Sequence, residues 1–123
     1  MAKQRWFVSH PSKGQQHTPT FFYALDNFRK AQSAVEVIMP HERDQSVHLT
    51  KEEIEKADLI IAEVSIPSTG SGIELGWASS AGKRIIAFQQ AGTQASPAIG
   101  FITDDIHLYV AEEDILKILQ GLV

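Results

Sequence analysis

The sequence predicts an α/β fold, a five-stranded parallel sheet with helices on both faces, in a single domain spanning residues 1–123. Three observations carry that prediction. Short apolar runs alternate with segments of helical spacing along the whole chain. The run from Leu59 to Val64 is almost continuously apolar, as a central strand covered on both faces requires. The length of 123 residues, 43% of them hydrophobic, suffices for one ordinary core.

Trp6 to Val8 forms the first strand and ends in the turn-rich loop Ser9 to Gly14. Thr18 and Pro19 read as an N-cap followed by proline at the first helical position. Phe22, Leu25, Phe28 and Ala31 then recur at helical spacing. Val35 to Met39 is a second strand closed by Pro40, and residues 41–47 read as a loop. Thr50 to Glu53 has capping-box form and opens a short helix. After the strand Leu59 to Val64 comes a loop from Ile66 to Gly72. The next helix runs from Ile73 to Ala81 and stops at Gly82. Arg84 to Phe88 is the fourth strand, Gln89 to Pro97 a polar loop, and Ala98 to Phe101 a helical turn. Ile106 to Val110 is the fifth strand, and Ala111 to Leu122 a terminal amphipathic helix. Five strands alternating with helices suggest the flavodoxin-like (Rossmann-like) order, whose ligand site lies at the carboxyl ends of the strands.

Composition narrows the function. Fifteen acidic residues against 11 basic ones give a formal charge of −4, which argues against a nucleic-acid backbone as partner. The absence of cysteine removes disulfides and thiolate metal sites. The five histidines are scattered without ligand spacing, so no metal or cofactor is expected. Met1 to Arg5 runs into a strand without a signal-peptide stretch, and no segment approaches the ~18 apolar residues of a membrane span. The expectation is a soluble cytoplasmic protein.

The loops holding Ser9 to Gly14, Ser65 to Glu74 and Gln89 to Ser96 all fall on the carboxyl edge of the predicted sheet. The middle one places Pro67, Ser68, Gly70 and Gly72 just before a helix. Glycines let a ligand approach the backbone, and a helix N-terminus offers N–H groups to an anion. Glu74, expected in the first turn, would have its ionised form favoured by the helix dipole. That suits a nucleophile, and it equally suits a residue that merely complements the dipole on a solvated face. The segment Gly70 to Gly76 has its last glycine one place too late for a dinucleotide fingerprint, and it follows the third strand, not the first. No Gly-Lys-Ser/Thr is present, so there is no P-loop. Trp77 reads as core packing and Asp58, at the opposite strand end, as structural. Glu63 reads as a buried carboxylate that could hold sugar hydroxyls or orient Glu74.

The segment from Ala57 to Gly76 resembles the signature of the nucleoside 2-deoxyribosyltransferase family, which includes the 2′-deoxynucleoside 5′-monophosphate N-glycosidases. The resemblance rests on a strand, the Pro67-Ser68 turn, Gly70 and Gly72, then Glu74-Leu75-Gly76 at matching spacing. It implies that Glu74 attacks the anomeric carbon, expels the nucleobase and forms a covalent sugar ester, as in a retaining glycosidase. It also implies a small nucleoside or nucleotide as ligand and a homodimer or larger symmetric assembly. The monophosphate hydrolases carry serine at the position of Ser68, where the transferases tend to carry aspartate. A carboxylate there would repel a phosphate and a hydroxyl would bind it. Ser96 resembles a second phosphate-contacting serine, supplied in the family by the neighbouring subunit; it equally fits a plain N-cap. Ser9, Ser12 and Lys13 sit where the first loop would add contacts. Two features depart from the family. Thr50 stands where an aspartate usually helps shuttle a proton to the leaving base; either Glu52, Glu53 or Glu63 substitutes, or base departure needs no such acid. The first loop also lacks the family's usual glycine turn. The C-terminal segment shows no carboxylate motif of the kind that grips the base in transferases. The expected activity is therefore cleavage of a (deoxy)nucleoside 5′-monophosphate. The alternatives are base exchange between deoxynucleosides and a non-catalytic nucleotide-binding or sensing domain.

Overall fold

A computed structural model describes residues 3–11, 14–39 and 47–123. The expectations for Ser12, Lys13, Pro40 and the loop at 41–46 fall outside the described residues. In chain order the elements are β1 (Gln4–Ser9), α1 (Gly14–His17), α2 (Pro19–Ala31), β2 (Val35–Ile38), α3 (Val47–Lys56) and β3 (Leu59–Glu63). They continue as α4 (Thr69–Ser80), β4 (Ile85–Gln90), a 3₁₀ turn (Pro97–Phe101), β5 (Ile106–Tyr109) and α5 (Glu112–Gly121). All strand pairs are parallel, in the order β2-β1-β3-β4-β5. This is the flavodoxin-like arrangement, in which the chain reverses direction across the sheet between β1 and β3.

The period-2 alternation of each strand sorts its side chains onto two cores. Trp6, Val8, Ile61 and Phe88 face α2 and α5, where Phe21, Leu25, Ile115 and Leu119 bury them. Phe7, Ile60, Ala62 and Ala87 face α3 and α4, where Ile54, Leu75 and Ala78 close the other layer. Every residue of β3 is buried, which explains its apolar run from Leu59 to Ala62, broken only by Glu63 at its end. Asp58 has the structural role read from its position. Its carboxylate accepts the Arg5 N–H at 2.8 Å, and its own N–H donates to the Arg5 carbonyl, locking β1 to β3 at the amino edge. Among the described residues no helix is long and apolar enough to cross a membrane.

Several boundaries differ from the sequence reading. Residues 14–17 form a short helix at the end of the expected first loop and beyond it, and β4 continues through Gln90. Helix α3 starts at Val47, so Thr50 lies inside it and is not its cap. Helix α4 starts at Thr69, four residues earlier than expected, because Ser68 serves as its N-cap. The Ser68 hydroxyl accepts from the Ser71 N–H at 3.4 Å, and the Gly72 N–H donates to the Ser68 carbonyl at 2.9 Å. Gly70 and Gly72 are thus helical, despite a cost of about 1 kcal/mol each relative to alanine. A Cβ added at either would meet nothing within 4 Å, so packing inside the chain does not demand these glycines.

Candidate active site

At the carboxyl edge of the sheet, Ser9 ends β1 and Glu74 projects from α4. The Ser9 hydroxyl donates to Glu74 Oε1 at 2.7 Å. Ser9 is fully buried, so its rotamer is fixed by the walls around it and the bond orients the carboxylate. The two residues are 65 positions apart in sequence and meet because β1 and β3 are neighbours and α4 follows β3 directly.

Glu74 is the sixth residue of α4, not part of its first turn, so the helix dipole has largely faded there. Burial, not the dipole, sets its protonation. Desolvation pushes the Glu74 carboxyl above the usual carboxylate range, and the Ser9 hydroxyl pulls it partly back. The carboxylate opens onto a groove of about 300 Å³ between α3 and α4, lined by Thr50, Gly70, Ile73, Glu74 and Trp77. Its walls are mainly apolar with two polar groups, the pattern of a small-molecule site. Thr50 faces this groove rather than capping a helix. Trp77 does pack against the α3–α4 core layer, yet it also forms a groove wall, with Lys51 Nζ 6.0 Å from its ring centroid.

A second, smaller hollow of about 30 Å³ lies on the opposite flank of the α4 N-terminus. Ser68, Ser71, Gly72, Ser96 and Glu63 contribute to its lining. Ser96 caps the 3₁₀ turn, its hydroxyl accepting the Ala98 N–H at 3.3 Å, and lines the hollow of its own chain. Glu63 is fully buried, and its hydrogen bonds go to neighbours other than Glu74. Its Oε1 accepts the Ser65 N–H at 2.6 Å and its Oε2 accepts the Tyr109 hydroxyl. Desolvation raises the Glu63 pKa, and the Tyr109 and Ser65 bonds oppose the rise. Burial and the adjacent carboxylate push the Tyr109 phenol up. The Ser65 hydroxyl accepts the Gln90 N–H at 2.7 Å, so this cluster ties the ends of β3, β4 and β5 together. Orientation of Glu74 therefore falls to Ser9. Tyr109 and Ser71 were not singled out by the sequence. Tyr109 reads there as one more residue of an apolar strand, and Ser71 as one more polar residue of a loop. Among the described residues no group of three or more His, Cys, Asp or Glu side chains is placed to hold a metal ion.

No family model matches the sequence, and no curated protein matches it. Solved structures do. The CMP N-glycosidase BcmB of Clostridium botulinum is 27% identical, with a TM-score of 0.64 over 95% of this chain and 99% of that one. A 2-deoxyribosyltransferase of Bacillus psychrosaccharolyticus, 20% identical, matches with a TM-score of 0.64 over 91% of this chain and 90% of its own. A flavodoxin-like domain from Synechococcus, 17% identical, gives 0.59 over 95% and 97%. The sheet order and these matches define a flavodoxin-like α/β protein. Within that class the chain is similar over most of its length to a CMP N-glycosidase, and in fold to a 2-deoxyribosyltransferase.

Proposed function

We propose that this protein cleaves the N-glycosidic bond of a (deoxy)nucleoside 5′-monophosphate, with Glu74 as the nucleophile. The observation that carries the reading is the Ser9–Glu74 hydrogen bond at the head of the α3–α4 groove. It presents one carboxylate oxygen bound and leaves the other for attack. The likeness to a CMP N-glycosidase over nearly the whole chain supports the same reading.

In the first step a Glu74 carboxylate oxygen bonds to the anomeric carbon. The carbon–nitrogen bond breaks, and its electron pair leaves with the base, which takes a proton from solvent or a nearby donor. The partly desolvated carboxylate is a stronger partner for a developing oxocarbenium charge than one in open water. In the second step water attacks the anomeric carbon and gives one proton to solvent, the carbon–oxygen bond to Glu74 breaks, and Glu74 is regenerated as a carboxylate. Ser9 holds the nucleophile in both steps. Ser68 at the α4 N-terminus and Ser96 beside it supply hydroxyls where a 5′-phosphate would be received, and the helix dipole favours the anion there. Gly70 and Gly72 leave the helix surface open to the sugar and phosphate.

The test is incubation with a panel of nucleosides and nucleoside monophosphates, followed by chromatography for free base. Release from a monophosphate without an acceptor is the expected result. Release only when a second base is supplied would reassign the protein to base exchange. Nucleotide binding without any release would make it a sensing domain.

A further inference from the structure

We infer that Ser71, a residue inside the first turn of α4, is a specificity determinant that donates its hydroxyl to one non-bridging oxygen of a phosphate monoester. The inference rests on the monophosphate reading above and adds to it a residue that neither the motif nor the relatives assign.

Ser71 is 8% exposed, and its hydroxyl oxygen is fully buried with no hydrogen-bond partner among the described residues. Buried hydroxyls are almost always paired, so an unpaired one weakens the fold unless a ligand uses it. The side chain lines the 30 Å³ hollow, together with the hydroxyl-bearing Ser68 and Ser96 and the backbone of Gly72. Ile66, Pro67, Leu75 and Ile99 contribute apolar walls. At about 30 Å³ the hollow has room for a group the size of a water oxygen. A phosphate monoester at its mouth would insert a terminal oxygen.

The electrostatics agree with an anion. The hollow abuts the N-terminus of a 12-residue helix, whose first N–H groups have no intrahelical acceptor. The Ser68 cap bond to the Ser71 N–H is long, at 3.4 Å, so that donor is held weakly and can turn to a stronger acceptor. Glu63 also borders the hollow and would oppose a second negative charge. Both of its oxygens accept hydrogen bonds, from Ser65 and Tyr109, which draws its charge toward those donors.

Ser71→Ala tests the inference because two readouts move in opposite directions. Removing an unpartnered buried hydroxyl from a helix leaves the melting temperature of the ligand-free protein equal to or above wild type. The same change weakens binding of ribose 5-phosphate, measured by calorimetry, by about tenfold or more, as loss of a hydrogen bond to a charged group does. In turnover, the efficiency ratio of monophosphate to nucleoside falls by a similar factor. Unchanged affinity for ribose 5-phosphate in the variant overturns the inference and assigns the hollow to water. So does equal weakening of ribose and ribose 5-phosphate, or a wild type that binds neither inorganic phosphate nor ribose 5-phosphate. Failure of the glycosidase reading looks different: no base is released from any monophosphate, while phosphate affinity still depends on Ser71.

Discussion

Ser9 and Glu74 form a pair in which a neutral donor manages a partly buried charge. Burial makes the Glu74 carboxylate expensive, and the Ser9 hydroxyl restores part of the lost solvation. The pH consequence has a definite sign. A carboxyl whose folded pKa is raised contributes stability below its unfolded pKa and loses it as pH rises through the folded value. Above the folded value the ionised Glu74 therefore costs stability, as the role proposed for it would require. Glu74→Gln should raise the melting temperature at pH 7, and the gain should vanish in acid below the ordinary carboxylate range. The same substitution, and Glu74→Ala, should reduce base release by about 10³-fold or more, the scale of losing a covalent nucleophile. Near-normal turnover by the alanine variant would remove Glu74 from the role. Ser9→Ala removes the bond that favours the charged form, so the acid limb of the rate–pH profile should move to higher pH. An unmoved limb with merely lower turnover would mean that Ser9 packs and does not tune.

Helix α4 lines both the groove and the hollow, so the proposed chemistry converges on it. Ser68 is both its cap and a candidate phosphate contact, and these roles can be separated. Aspartate is as good an N-cap as serine, so Ser68→Asp should leave the helix and the melting temperature intact. Its carboxylate, however, would face a phosphate dianion. Wild type should favour a monophosphate over its nucleoside by at least about 100-fold in efficiency, and the aspartate variant should lose much of that preference. A wild type that works better on the nucleoside would refute the monophosphate reading. The same helix marks the limit of what the sequence discloses. The strands were readable because burial on both faces leaves β3 no polar interior position, and the alternation of the other elements follows from the sheet. The start of α4 was not, because Thr69, Gly70, Ser71 and Gly72 all disfavour helix by propensity. Packing of Leu75 and Ala78 into the core layer, with the Ser68 cap, overrides that preference. That four-residue shift carried Glu74 out of the first turn and replaced a dipole argument with a burial argument. The Glu63–Tyr109 bond joins residues 46 apart through a strand order that no local pattern encodes. Thr50 shows the converse: its capping-box context was legible, yet the helix already begins at Val47 and turns it to the groove.

At the scale of the whole molecule, the sheet ends on one side in β5, whose outer surface is unusually apolar. Phe101 is 89% exposed, Leu108 65% and Val110 75%, all on β5 or on the segments flanking it. Exposed apolar residues on an edge strand invite association, and proteins that remain monomeric usually blunt such edges with charge. The 3₁₀ turn that ends in Phe101 is capped by Ser96, which lines the hollow beside α4. A second copy covering β5 and Phe101 would brace the turn that Ser96 caps, the turn proposed to receive a phosphate. The expected state is a symmetric homodimer or larger closed assembly, in which the same patch serves both partners. Light scattering at working concentration should give at least twice the chain mass of 13.6 kDa. Phe101→Glu combined with Leu108→Lys should return the mass to that of one chain without unfolding it, since neither side chain is part of the core. The monomer so produced should lose efficiency on monophosphates through a weaker hold on substrate, because the turn bearing Ser96 would lose its support. A wild-type chain that is monomeric and fully active under the same conditions would show that the patch serves another purpose and that one chain completes the site alone.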